Sequence, residues 1–329
     1  MSSSIDGGRQ PPIPRPKWIA PKLDVPQRRT VVAKSDALAV THLSIRIALL
    51  LSVMVLAASF CNRGQWGVTI ALTLASGFMW NFLGWAGISH EFFHGTVFSN
   101  KRLNRLLFRV FSVLSWSNYG YFELSHWLHH KYTRFDVDPE SRSDDPIAWT
   151  SVPWLLTIDL PGLLKQISIL VRNSFGFIPD GIAVFANVEQ RRSVRVGAIA
   201  VLAFQMTFAI AAVTLWQPVL LFLVTLGPFT FSLPKRILEL AQHKGAEHNV
   251  NDFRLNSRTV VLPKFLSFLY ANMNYHVEHH LMPAVPYYRL PRLRNLLLTG
   301  GYKRLEDDLD LAGAVKLAFT PDLRSGVPI

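Results

Sequence analysis

The sequence predicts an all-α membrane protein with four transmembrane helices in two hairpins, joined to a cytoplasmic helical cap. Three observations lead there. Half of the 329 residues are hydrophobic and only 17% are charged, against roughly 25% in soluble domains. Four apolar runs stand in two closely spaced pairs. Eight of the eleven histidines fall in three short boxes, and the basic residues gather in the same segments.

Taken from the N-terminus, residues 1–35 form a proline-rich basic arm, with six prolines between Pro11 and Pro26. Proline removes backbone donors and fixes φ, so the reading is an extended or disordered cytoplasmic stretch with no secretory core. The first apolar runs cover 43–60 and 66–88, the second pair 194–215 and 219–233. A helix needs about 20 apolar residues to cross the hydrocarbon core, and polar flanks extend the shorter runs by snorkelling. Each pair is linked by a few residues, hence two hairpins. The outer turns carry a single basic residue, Arg63, whereas the net charge of +12 lies in the central segment and toward the ends. By the positive-inside rule both termini and the central segment are cytoplasmic. That explains the basic excess without nucleic acid, of which no module signature appears. Two further apolar stretches, 106–116 and 147–171, read as interfacial helices, the second alternatively as a broken membrane helix. Residues 36–310 are read as one domain and 311–329 as a C-terminal tail.

Cys61 is the only cysteine, which excludes an intrachain disulfide and any cysteine-rich metal site. The histidines carry the chemistry. His90 and His94 stand in HEFFH, His126, His129 and His130 in HWLHH, and His276, His279 and His280 in HVEHH. Spacings of three and four share one helix face, so each trio offers two or three nitrogens to one place. Imidazoles with few competing thiolates or carboxylates suit iron, zinc or copper. Eight or nine nitrogens exceed one ion's coordination, so the cap is expected to hold a dimetal site. The stretch LAQHKGAEHNV offers a ninth ligand as His248 or His243; His248 is preferred for its neighbour Glu247, with His243 less favoured. His42 reads as structural. Acids and amides beside the boxes are candidates to orient ligands from behind: Glu91, Glu123, Asp136, Asp138, Glu247, Glu278, Asn272 and Asn274.

HEFFH also satisfies HExxH, in which a zinc-bound histidine pair works with a glutamate base. A membrane zinc protease would use that box and leave HWLHH and HVEHH unexplained. A non-catalytic haem or metal transporter would place histidines within the spans, along a path, rather than after them.

The order of the boxes, HWLHHKYTRFDVDPE, the run NMNYHVEHHLMPAVPYYRLPRL, and AEH before Asn-Ser-Arg together resemble the membrane fatty-acid desaturase family, over residues 82–294. The resemblance implies two ferrous ions, O2 as co-substrate, and an oxidant that takes hydrogen from an unactivated C–H of a fatty acid or fatty-acyl chain. Zinc is a purification substitute. It also favours His248 as the extra ligand. No His-Pro-Gly-Gly stretch is present, so an external ferredoxin or cytochrome b5 type donor with its reductase is expected. Desaturation is the expected outcome; hydroxylation, or oxidative decarboxylation of a free fatty acid to a terminal alkene, remains an alternative, and so do carotenoid-like substrates. Arg102, Arg105, Lys131 and Arg134 lie near the boxes and either meet a polar head group or anchor the membrane surface.

Overall fold

The computed structural model describes residues 16–140, 144–302 and 308–321. The described chain is helical throughout, with two isolated β-bridges and no strand. Residues 16–24 are extended, and a short helix α1 (Val25–Val32) follows. Within the expected arm, residues 25–32 are therefore helical rather than extended. Pro26 occupies the first turn, where its missing N–H costs nothing, and Asp24 and Gln27 form a capping box. Residues 1–15 lie outside the described part.

Helix α2 (Asp36–Asn62), capped by Ser35, turns at Gly64 (φ +70°) into α3 (Trp66–Asn81), and the two pack as a hairpin. The second apolar run was expected to continue to 88. Instead α3 stops after 16 residues, about 24 Å of helix. Asn81 donates to the carbonyls of Gly77 and Thr230, and a turn over 82–87 reverses into α4 (Ile88–His94). Gly87 is required there, since a Cβ would lie 2.0 Å from the Phe82 carbonyl oxygen.

Helix α5 (Lys101–Leu114) is amphipathic: it buries Asn104, Phe108, Phe111 and Ser112 and exposes Arg102, Arg105, Leu106 and Arg109. Helix α6 (Tyr119–Tyr132) carries the second box. The stretch 147–171 is broken into a 3-10 turn, α7 (Val152–Leu156) and α8 (Leu160–Ser174), with Pro153 and Pro161 opening the two helices. After α9 (Asp180–Ala183), the 27-residue α10 (Val188–Thr214) crosses α6 closely. Gly120 permits this: a Cβ on it would lie 2.4 Å from the Ser193 backbone.

The fourth apolar run corrects the sequence reading most. It is not one helix. A π-helical turn at Leu221–Thr225 and a 3-10 turn at Gly227–Phe229 replace the expected span. The indoles of Trp80 and Trp116 donate to the carbonyls of Leu223 and Thr225, each at 2.7 Å. These bonds satisfy backbone groups that the irregular turn presents. The remaining helices are α11 (Leu233–His243), α12 (Phe253–Asn256), α13 (Lys264–Leu269), α14 (His276–Leu281), α15 (Leu290–Thr299) and α16 (Leu311–Phe319). Helix α16 packs on α11, and Ile147 N–H donates to the Ala318 carbonyl at 2.8 Å. The expected tail thus begins with an integral helix.

Among the described residues two helical segments are long and apolar enough to cross a membrane, Val25–Asn62 and Val188–Thr214, both with mean hydropathy 2.2. Only 17% and 28% of their apolar windows are buried inside the protein, so they are not core helices. Leu51, Val55, Met206 and Ile210 point outward, an apolar surface that water disfavours. Arg46 ties α2 to the cap, bonding the Phe268 carbonyl, the Tyr287 hydroxyl and the His42 carbonyl. His42 packs edge-on against Phe268, the structural place expected for it.

Candidate metal centre

Helices α4, α6, α11 and α14 converge, and their nine imidazoles form two groups. His90, His94, His126, His130 and His279 make one; His129, His243, His276 and His280 make the other. Within each group the ligand atoms lie within 4.8 Å of one another. The groups are adjacent, with the His130 and His280 rings stacked at 4.5 Å.

Helix geometry explains the division. On α6, His126 and His130 are four apart, about 40° around the axis, and enter the first group; His129 is about 100° from His130 and enters the second. On α14 the roles exchange: His276 and His280 pair in the second group and His279 crosses to the first. HWLHH and HVEHH therefore each span both groups, whereas HEFFH gives both of its histidines to the first.

The ninth imidazole is His243, at the end of α11. Its Nε2 is 2.8 Å from His276 Nε2. This corrects the preference for His248, which is 49% exposed and stands 3.7 Å from Asp144. The reason is local. Gly245 adopts φ +64° and the chain turns outward after His243, carrying Glu247 and His248 away from the boxes. A spacing of five cannot hold both histidines on one face.

Proton positions test whether a metal fits. Neighbouring Nε2 atoms face each other at 2.5 to 3.2 Å. Behind them, His126 Nδ1 meets Glu140 at 3.0 Å, His129 Nδ1 meets Asp138 at 2.9 Å, and His243 Nδ1 meets the Asn256 carbonyl at 2.8 Å. The Thr133 hydroxyl donates to the His129 carbonyl and so accepts from His280 Nδ1 at 3.2 Å. These acceptors fix a proton on Nδ1 of His126, His129, His243 and His280, so that Nε2 is the atom each turns toward the neighbouring rings. Nitrogens so opposed call for cations between them, and an all-nitrogen donor set suits iron, zinc or copper. The donor set fits two metal ions.

The electrostatics agree. Burial holds His90, His126, His130, His276, His279 and His280 well below the ordinary imidazole range, and lowers His94 and His243 to about 3. They are neutral at pH 7, the state a ligand needs. Burial also lowers His129, but Asp138 and Glu140 outweigh it and lift it to about 9.

The candidate orienting groups divide. Asp138 does contact a histidine. Glu91 is fully buried, and burial lifts it to about 8; its Oε1 lies 3.5 Å from His279 Nδ1 and 3.9 Å from His90 Nδ1. It stands behind the imidazoles, not in front of them, a place unsuited to the general base of a zinc protease. Glu278 turns away to Arg294 and Thr259. Asn274 donates to the Val260 carbonyl, and Asn272 to that of Tyr287. Asp136 accepts from Asn249 at the surface. Glu123 and Glu247 make no contact with the nine imidazoles. Arg134 is not a head-group residue: it is buried and bonds Asp144 bidentately at 2.7 and 2.8 Å. Sequence reasoning missed Glu140, Thr133 and Asn256. Only Glu140 carried a signal, two residues past Asp138.

A cavity of about 500 Å³ reaches His90, His126, His129, His243 and His276. It shares Trp85, Ala86, Lys165, Arg236 and Glu239 with a second cavity of about 690 Å³, which extends toward Trp80, Trp116, Leu155 and Phe229. Both are of ligand size.

Comparison with known proteins gives consistent matches. A sequence model of the fatty acid desaturase family matches residues 64–305. A fatty acid desaturase of Bacillus subtilis (strain 168) is 30% identical over 251 residues, spanning 68% of this chain and 66% of that protein. A beta-carotene ketolase of Paracoccus sp. (strain PC1) is 24% identical over 245 residues, spanning 70% and 81%. A second beta-carotene ketolase, of Paracoccus sp. (strain N81106 / MBIC 01143), is 23% identical over 239 residues, spanning 68% and 79%.

Proposed function

The chain belongs to the fatty acid desaturase family, and from that premise we propose that it is an oxygen-dependent di-iron oxidoreductase of fatty-acyl chains, with desaturation as its reaction. The observation that carries this reading is the pair of adjacent imidazole groups, five and four, with tautomers fixed from behind. When bound, two irons with O2 and two electrons supply the oxidant that removes hydrogen from an unactivated C–H; zinc is a silent substitute. The first group would hold one iron and the second the other.

The chain's own residues position and exclude. Asp138, Glu140, Thr133 and the Asn256 carbonyl keep Nε2 free and aimed. Glu91, 3.5 Å from His279 Nδ1, would ionise and balance charge only when a cation is bound there. Trp85, Phe122, Tyr270 and Met273 supply apolar surface beside the imidazoles in an otherwise mostly polar cavity, where an acyl chain replaces water. Holding the reacting carbon against the site is the protein's main contribution.

In the membrane, α2 and α10 span the bilayer. The shorter α3 and the turns at 219–229 complete two hairpins, with termini and cap on the cytoplasmic side where the basic residues lie. Electrons come from an external ferredoxin or cytochrome b5 type protein with its reductase.

The ketolase relatives favour oxygen insertion as a second outcome at the same site. Product analysis separates them. The chain is expressed with a ferredoxin and reductase, fed deuterated fatty acids, and its products are read by mass spectrometry. An internal alkene of unchanged length is expected. A hydroxy acid or a volatile alkene one carbon shorter replaces the reaction; no O2-dependent product overturns the proposal.

A further inference from the structure

We propose that Lys165 on α8 and Arg236 on α11 form a seat for the carboxylate of a free long-chain acid, where the two cavities meet. The inference rests on the acyl-chain reading above and specifies the form in which the chain arrives.

Both cations line both cavities. Arg236 is half-buried, and Lys165 is exposed at the opening. Elsewhere in the cap the cations of this kind are partnered: Arg134 with Asp144, Arg254 with Asp252, and Arg294 with Glu278 and Asp308. Among the described residues the side chains of Lys165 and Arg236 have no ion pair or hydrogen bond. Glu239, which also lines both cavities, lies beyond 4.0 Å of either. Two cations against this one acid leave a single positive charge at the junction, the complement of one carboxylate. Asp159 and Lys235, in the second cavity only, offset each other.

The chemistry excludes a neutral occupant. A hydrocarbon such as a carotenoid has no acceptor, and would strip water from a guanidinium and an ammonium without replacing it. A carboxylate accepts from the planar guanidinium bidentately and from the ammonium as a second donor. The placement is also connected to the metal site. Arg236 and His243 are seven residues apart on α11, nearly two turns, on one face and about 10 Å apart along the axis. A head held at Arg236 leaves its tail beside the imidazoles.

The test is equilibrium binding to the purified iron-loaded protein in lipid nanodiscs, without turnover. The probes are palmitate, its methyl ester and palmitoyl-CoA, and the proteins are wild type, Arg236→Gln and Lys165→Gln. Wild type is expected to bind palmitate about ten-fold or more tightly than the ester. Each variant should weaken palmitate about ten-fold and leave the ester unchanged, which also shows that the variant is folded. Unchanged palmitate binding in both variants, or equal weakening of acid and ester, overturns the seat. Tighter binding of palmitoyl-CoA with the same dependence on Arg236 replaces the carboxylate by a phosphate. If acid and ester bind alike while the chain is still oxidised, only the seat is lost; if wild type binds neither acid nor CoA ester, the acyl reading falls with it.

Discussion

The choice between His243 and His248 makes the sharpest prediction. His243→Ala removes one of four imidazoles from the second group and leaves three Nε2 atoms around it. Four-ligand sites hold zinc by about 10–16 kcal/mol, or roughly 3 kcal/mol per ligand. Losing one should weaken that metal about 100-fold. The first group shares no ligand with the second, so its metal should remain. His248→Ala removes an exposed ring with one distant carboxylate, an interaction worth under about 1 kcal/mol. The assay is metal per chain by plasma mass spectrometry after titration with a competing chelator. Wild type and His248→Ala should start near two metals and release them together, while His243→Ala falls to one at about 100-fold lower chelator. If His248→Ala loses a metal and His243→Ala keeps both, the second group has been assigned wrongly.

Further predictions concern support and stability. Asp138→Asn removes the carboxylate behind His129, and should weaken the second metal by about 10–100-fold on the same chelator titration; no change would deny Asp138 that role. Gly120→Ala drives a Cβ into the Ser193 backbone and should lower stability by about 3 kcal/mol, read as a clear fall in thermal midpoint with α6 displaced from α10. Arg134→Ala removes both guanidinium bonds from the partly buried Asp144 and should cost about 2 kcal/mol, without altering preference among head groups in the binding assay. The metal-stripped protein should lose stability as pH falls below 6.5. Imidazoles held neutral in the fold but protonated when unfolded each cost about 1.4 kcal/mol per pH unit there. His129, lifted to about 9, runs oppositely: its contribution is full below 6.5 and is lost as pH rises through 9. A flat chemical-denaturation profile between pH 7 and 5 would contradict the buried neutral set.

What was legible in the sequence follows from what is local. The three boxes need only helical spacing to bring their nitrogens together, so eight of the nine clustered imidazoles could be read directly. Their division between two groups also follows from helix angles, but only once the boxes face one another. His243 was harder: its place depends on the end of α11 meeting the start of α14 at His276, while its rival His248 had the acidic neighbour. Glu278 and Asn274 misled for the same reason, since sequence proximity to a box does not say which way a side chain turns. Among the spans, composition found α2 and α10. It missed the stop at Asn81, which depends on Thr230 accepting an amide from 149 residues away. It missed the irregular turns at 221–229, whose carbonyls are satisfied by two distant indoles. Arg134 looked like surface charge because its partner Asp144 comes from a separate loop.

The central claim is that two irons sit side by side on nine named imidazoles, and anomalous scattering at the iron edge tests it directly. From crystals of the iron-loaded protein, two peaks are predicted. One should be ligated by His90, His94, His126, His130 and His279, the other by His129, His243, His276 and His280. A single peak, or a second one ligated by His248 in place of His243, would contradict the account.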